Sequence, residues 1–230
     1  MIDDPSAPWS TGRVQTEPDA RRRLLDAAER LLREQGYERT SIRAVNKAAG
    51  MNPAAVHYHF GSKPALVTAL LEDRLRRAWD GPLADLTGTP PGTPPGTPPG
   101  IGHLARVLVE PMATLAADES RRWLLALLAR LVLAGHPLPW RSPWPAPEPW
   151  IELVRRAVPG LSERDAADRW RLARDLVLIT YGAPLAEPGR PPEPPPARTV
   201  IAFVAAGLAA EGDPHDHDLR ARPAGAADPA

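Results

Sequence analysis

Between Thr40 and Lys63 the sequence TSIRAVNKAAGMNPAAVHYHFGSK brings together Asn52, His57, Tyr58, His59 and Lys63. These side chains hydrogen-bond or carry positive charge, and small residues such as Ala54 and Ala55 lie among them. Asn can pair with an adenine edge, Ala can meet a thymine methyl, and short side chains let a helix lie deep in a groove. This is chemistry for reading a duplex. His57 and His59 also suggest a metal pair, but positions two apart on a helix point to different sides and do not chelate together. The sequence has no G-x-S-x-G, no H-E-x-x-H, no G-x-x-x-x-G-K-[ST] and no G-x-G-x-x-G. Those are the motifs on which nucleophilic, zinc-hydrolytic or nucleotide-cofactor chemistry would rest. An enzyme is therefore the least favoured class, and no cofactor or metal is expected.

The elements that must position these residues are legible around them. Thr40 or Ser41 can cap a first short helix, in which Ile42, Val45 and Ala49 recur at helical spacing before Gly50 stops it. Asn52-Pro53 starts another at once, because Asn is a favoured cap and Pro a favoured first helical residue. In the helix Asn52–Phe60, Val56 and Phe60 are four apart on the side to be buried. Gly61-Ser62 is a second stop and cap, and Leu66, Leu70 and Leu71 begin the next apolar stripe. Two helices joined by so short a turn form a helix-turn-helix, whose second helix can enter a major groove.

The pattern Thr40-Ser41-Ile42-Arg43, Ala48-Ala49-Gly50 and Val56-His57-Tyr58-His59-Phe60-Gly61-Ser62-Lys63 resembles the TetR/AcrR family of bacterial transcriptional regulators. The resemblance runs from about Pro18 to Trp79 and includes an amphipathic helix before the motif and a fourth helix after it. It implies that Tyr58, His59 and Lys63 contact phosphates, with Thr40 and Ser41 at the opposite end of the motif. It also implies that Asn52, Ala54, Ala55 and His57 face base edges. Three positions depart from the family's habit: His57 replaces an aromatic or Asn, Asn46 a small residue, and Pro64 an acidic one.

Charge supports a polyanionic partner despite a formal net charge of zero. Residues 20–79 hold 12 Arg or Lys against 6 Asp or Glu, and both lysines of the chain, Lys47 and Lys63, lie in the motif. A basic amino-terminal third joined to an acidic remainder is an electrostatic footprint for phosphates. The absence of cysteine removes disulfides and thiolate chemistry and fits a reducing, cytoplasmic setting. The amino terminus has no signal-peptide pattern, and the apolar run Trp123–Leu133 is too short to span a bilayer, so no membrane association is expected.

The expected architecture is all-α: a three-helix helix-turn-helix head and a carboxy-terminal helical bundle for ligand binding and dimerisation. Residues 1–15 read as a disordered lead and 16–80 as the head, opened by a Thr16-x-x-Asp19 capping box. In its first helix Leu24, Ala28, Leu31 and Leu32 are the buried face, Gly36 is the end, and Arg21, Arg22, Arg23, Arg30 and Arg33 ring the exposed side. The fourth helix is expected from Ser62 to Trp79. Residues 81–100 form a Gly-Thr-Pro-Pro linker with no face to bury. Helices follow near Gly102–Ala117, Ser120–Ala134, Trp150–Val158, Ser162–Tyr181 and Ala197–Ala210, within a domain of 101–212. Proline-rich loops interrupt them at His136–Pro149 and Pro184–Pro196, and residues 213–230 are a tail. The His215–Asp218 run in that tail reads as solvated sequence and not as a metal site.

In the bundle, Trp123, Leu127, Trp140, Trp144, Trp150, Trp170 and Tyr181 are the expected lining of a pocket for a small apolar ligand. The Ser162–Tyr181 helix carries two apolar stripes, Trp170/Ala173/Val177/Tyr181 and Leu172/Leu176/Ile179, which implies burial on two sides. The resemblance implies a homodimer through the last two helices, with Trp170, Val177, Val200, Phe203, Val204 and Leu208 as candidates. A dimeric, ligand-released repressor on a palindromic operator of double-stranded DNA is the favoured function. A regulator whose second domain only dimerises stays open beside it. A sealed core would favour that alternative, and a cavity lined by the tryptophans the ligand-gated form.

Overall fold

The computed structural model describes residues 17–87, 99–186 and 192–210, and among these every regular element is a helix. The lead, Thr16, most of the Gly-Thr-Pro-Pro repeat and the tail with His215–Asp218 lie outside the described residues. The chain divides into two compact units, one up to Arg74 with Pro137–Pro139, the other Leu75–His136 with the residues from Trp140 onward. No described helix is long and apolar enough to cross a membrane.

The first unit starts with α1 (Glu17–Arg39), in which Leu24, Leu25, Ala28 and Leu32 are buried. At Gly36 the backbone leaves the helical region with φ 78° and ψ 175°, and a last turn runs on to Arg39. Three helices follow: α2 (Ile42–Ala48), α3 (Ala55–Phe60) and α4 (Lys63–Thr87). Val45, Val56, Phe60, Leu66, Leu70 and Leu71 complete the core of the head. Each large apolar side chain removed from water contributes roughly 1.5–3 kcal/mol, against the entropy of ordering it.

Polar groups strap the head together around this core. Arg74 on α4 reaches Glu29 at 2.7 Å and Asp26 at 2.6 Å on α1, and also pairs with its neighbour Asp73. Burial alone would lower the pKa of Arg74, but hydrogen bonds and charge from these carboxylates raise it, so the guanidinium stays cationic. Two of the five arginines expected on the exposed side of α1 are turned inward. Arg21 lies over the Phe60 ring at 4.7 Å, and Arg23 donates to the Ala49 carbonyl at the end of α2. Arg22, Arg30 and Arg33 are exposed as expected.

The fourth helix is longer than its sequence suggests. α4 continues through Gly81-Pro82 to Thr87, so residues 81–87 are helix and not linker. Proline removes one helical hydrogen bond, yet Leu86 is buried in the last turn, and that burial favours continuing. The two compact units meet in sequence within α4, after Arg74.

The second unit holds the rest of α4 and five further helices: α5 (Ile101–Ala117), α6 (Arg122–Leu133), α7 (Pro147–Ala157), α8 (Glu163–Gly182) and α9 (Ala197–Ala209). All five fall within a few residues of expectation. The Ser162 hydroxyl accepts from the Asp165 N–H at 3.1 Å, one half of the expected capping box, and donates to the Asp165 carboxylate at 2.6 Å. The first proline-rich loop ends earlier than expected because Pro147 begins α7, where a missing N–H costs nothing. At the centre, α8 packs against α5, α6, α7 and α9. A Cβ at Gly182 would lie 2.5 Å from the Ala129 Cβ and 3.1 Å from the Leu125 carbonyl oxygen, so only glycine lets α8 approach α6 this closely.

Two sets of candidate residues in this unit are placed as follows. Several of the aromatic residues expected to line a pocket pack on one another. Trp79 stacks on Trp144 at 4.5 Å, Trp150 stacks on Trp170 at 4.6 Å, and Trp140 leans on Trp144 at 5.7 Å. The Trp150 indole N–H donates to the Trp144 carbonyl at 2.9 Å, while Leu127 and Tyr181 are buried and Trp123 half-buried. A cavity of about 490 Å³ lies elsewhere, between α4 and α5.

The dimer candidates are likewise reassigned. Trp170, Val177, Val200, Val204 and Leu208 are buried in the chain's own core, leaving Phe203 as the exposed member of that set. The stripe of α8 that faces outward is the other one: Leu172 is 62% exposed and Ile179 55%, beside Phe203 at 68%. The two-stripe reading of α8 stands, but the first stripe belongs to the subunit core.

Candidate nucleic-acid interface

The sequence builds a rigid seat for α3 before it presents anything on it. The Ser41 hydroxyl accepts from the Ala44 N–H at 3.1 Å, which makes Ser41 and not Thr40 the cap of α2. Thr40 is 3% exposed, and its hydroxyl donates to the Gly36 carbonyl at 2.8 Å. It locks the junction after the Gly36 bend instead of facing a partner. Gly50, at φ 63°, turns the chain out of α2, and the Met51 N–H returns to the Asn46 carbonyl at 2.9 Å.

Asn46 then ties the two helices together. Its carboxamide nitrogen donates to the Pro53 carbonyl, and its oxygen accepts from the Val56 N–H at 3.1 Å. The residue is 1% exposed. A small residue there could make neither bond. Asn46 was visible in the sequence only as a departure from the family habit; its role as a peg between α2 and α3 was not. The Asn52 side chain accepts from the Ala54 N–H at 2.8 Å, so residues 52–54 form a turn and helical geometry begins at Ala55, three residues later than expected.

With Val56 and Phe60 held inward, Ala54, His57, Tyr58 and Gly61 fall at helical spacing on the outward side, and all four are exposed. Asn52 is exposed beside them, while His59 is half-buried with its ring edge-on to Tyr58 at 4.9 Å. Ala55 is 7% exposed and belongs to the core, so it leaves the base-facing set. The His57 Nδ1 donates to the Gly61 carbonyl at 3.0 Å, which fixes the ring and leaves Nε2 outside that bond. Tyr58, at 78% exposure, carries its hydroxyl well clear of the surface.

Anion-favouring groups flank this stripe. The Lys63 ammonium lies 4.0 Å above the Tyr37 ring, which steadies its flexible stem. Burial first, and the Glu38 charge second, hold the Tyr37 phenol above its ordinary range, so the ring beneath Lys63 stays neutral. Lys63 opens α4, where the Ser62 hydroxyl accepts from the Ala65 N–H at 3.2 Å. Neither α2, α3 nor α4 has an acidic residue in its first turn, which leaves the positive end of each helix dipole uncompensated. Arg43 and Lys47 are exposed on α2.

Residues 24–70 match the family model for bacterial regulatory proteins of the tetR family. The HTH-type transcriptional regulator BetI of Rhizobium meliloti (strain 1021) is 35% identical over 72 residues, 31% of this chain and 36% of that protein. The chain thus spans little more than a third of that curated relative's length. Among solved structures, NalD, the secondary repressor of the MexAB-OprM multidrug efflux pump in Pseudomonas aeruginosa, aligns with a TM-score of 0.54 at 20% identity. That alignment covers 85% of this chain and 98% of NalD. FadR from Bacillus subtilis, solved in complex with stearoyl-CoA, aligns with a TM-score of 0.52 at 16% identity, over 82% of this chain and 97% of FadR. At these identities the likeness shows a shared fold.

Proposed function

Because this chain carries a tetR-family amino-terminal domain, we propose that it is a DNA-binding transcriptional regulator acting as a homodimeric repressor on a palindromic operator. One observation supports this best: α3 is pegged by Asn46 and anchored by Val56 and Phe60, while Ala54, His57 and Tyr58 project from its opposite side. Helix-turn-helix dimers place two such helices in successive major grooves, one helical turn of DNA apart. In this arrangement Ala54, Asn52 and the His57 Nε2 meet base edges, and Tyr58, His59 and Lys63 take phosphates on either side. Ser41 spends its hydroxyl on capping α2 and lies at the far end of the same surface.

Dimerisation uses the outward face of α8 and α9, where Leu172, Ile179 and Phe203 are exposed. A ligand in the carboxy-terminal unit releases the operator by binding more tightly to a dimer state whose heads are wrongly spaced, since a ligand shifts an equilibrium only by its differential affinity. The cavity between α4 and α5 is the place for that ligand, in preference to the packed tryptophans. The setting is the bacterial cytoplasm.

A mobility-shift assay with the DNA upstream of the protein's own gene tests the regulator function. The expected result is a discrete complex that an unrelated duplex competes for only at large excess. Equal competition by any duplex, or no complex at low salt, would count against a sequence-specific regulator.

A further inference from the structure

Within the carboxy-terminal unit, the cavity of about 490 Å³ between α4 and α5 has an amphipathic lining. One wall is apolar: Val107 and Leu115 are 5% and 2% exposed, and Pro111 is buried between them on the same helix. The rim is cationic. Arg77 comes from α4, Arg106 from α5 and Arg121 from the turn before α6, and among the described lining residues Glu110 is the one carboxylate. Arg77 and Arg106 are exposed and make no ion pair with any described residue, so their guanidinium groups are available. The His103 Nε2 is buried at the lining without a hydrogen-bond partner among the described residues.

A neutral apolar guest would use the inner wall and leave this rim to water. A cationic one would be repelled. A carboxylate with an apolar body uses both: the planar guanidinium fork matches its two oxygens, and charge-assisted bonds of this kind are roughly twice as strong as neutral ones. We propose that the α4–α5 cavity binds an amphipathic carboxylate, its head held by Arg77 and Arg106 and its apolar part lying on Val107, Pro111 and Leu115. This replaces the small apolar ligand expected from the sequence, and its regulatory meaning rests on the ligand-released repressor proposed above. His103 supplies a further hydrogen bond to the head group.

The test uses the full chain and four probes of one chain length: octanoate, 1-octanol, octylammonium and octyl phosphate, each titrated by calorimetry. Octanoate should bind at least about tenfold more tightly than octanol, the equivalent of one charge-assisted hydrogen bond, with octylammonium showing no heat. Arg77→Gln and Arg106→Gln should each weaken octanoate by about tenfold and leave octanol unchanged, while Arg106→Lys should recover part of the loss. Both arginines are exposed, so thermal melts of the variants should match the parent. The site is overturned if octanoate fails to bind at millimolar concentration, if octanol binds as well, or if the double glutamine variant retains full affinity. Much tighter binding of octyl phosphate would overturn the carboxylate assignment. A separate arm measures operator affinity with and without octanoate. Octanoate bound without loss of DNA would sink the gating proposal and leave the site standing.

Discussion

At the residue scale, Tyr58 and Lys63 separate contact with DNA from support of the fold. Tyr58 is 78% exposed on α3, with its ring edge-on to His59, so Tyr58→Ala should leave thermal stability within about 0.5 kcal/mol of the parent. It should nonetheless weaken binding to every duplex tested. Lys63→Ala should also weaken binding, and should reduce the slope of log affinity against log salt by about one, the mark of one lost phosphate contact. Unchanged affinity in both variants would remove these contacts. Asn46→Ala should act in the opposite way, through the fold. It leaves the Val56 N–H and the Pro53 carbonyl unpaired beneath α3, at a cost of about 1–3 kcal/mol in urea denaturation. A variant as stable as the parent would show that α3 does not need this peg. The outward residues of α3 were legible because small and polar types alternate with Val56 and Phe60 at helical spacing. Thr40 and Ala55 were not, because their burial depends on the Gly36 bend and the Asn46 peg, which bring together residues distant along the chain.

At the scale of elements, two glycines do different work, and the same substitution should report on each. Gly36 sits at φ 78° and ψ 175°, a region essentially confined to glycine, with open space around it. Gly36→Ala should therefore cost about 1–3 kcal/mol through the backbone alone. Gly182 has ordinary helical backbone but no room, so Gly182→Ala destabilises by pushing α8 from α6. Ala129→Gly should restore part of that loss in the double variant and do nothing for Gly36→Ala, a coupling that a double-mutant cycle of urea midpoints measures. Additive effects of Gly182→Ala and Ala129→Gly would disprove the close approach. Helix positions were largely readable, since caps such as Ser41 and Ser162 and apolar periodicity act locally. The length of α4 was not, because the burial of Leu86 outweighs the local signal of Gly81-Pro82. The meeting of Gly182 with Ala129 was equally hidden, since tertiary contact has no signature in local spacing.

At the scale of the whole molecule, the outward apolar stripe Leu172, Ile179 and Phe203 needs a partner, and a second copy of α8 and α9 is the one proposed. Leu172→Glu with Phe203→Glu should halve the mass seen by light scattering while the helical circular-dichroism signal is kept. Because two linked heads gain affinity over one, the monomer should also lose roughly 10²–10⁴-fold in operator binding. A dimer that survives both substitutions would move the interface elsewhere. The sequence showed that α8 had two apolar faces, but which one turned inward depended on α5, α6 and α9 together. The regulator assignment itself depends on one surface, the exposed side of α3, and fluorescence anisotropy of a labelled upstream duplex tests it most directly with Ala54→Glu. Ala54 is exposed, so the substitution should leave the fold intact while setting a negative charge where the groove must be met. The expected result is loss of operator binding at every salt concentration with an unchanged melting temperature; binding equal to that of the parent protein would contradict the placement of α3 in the groove.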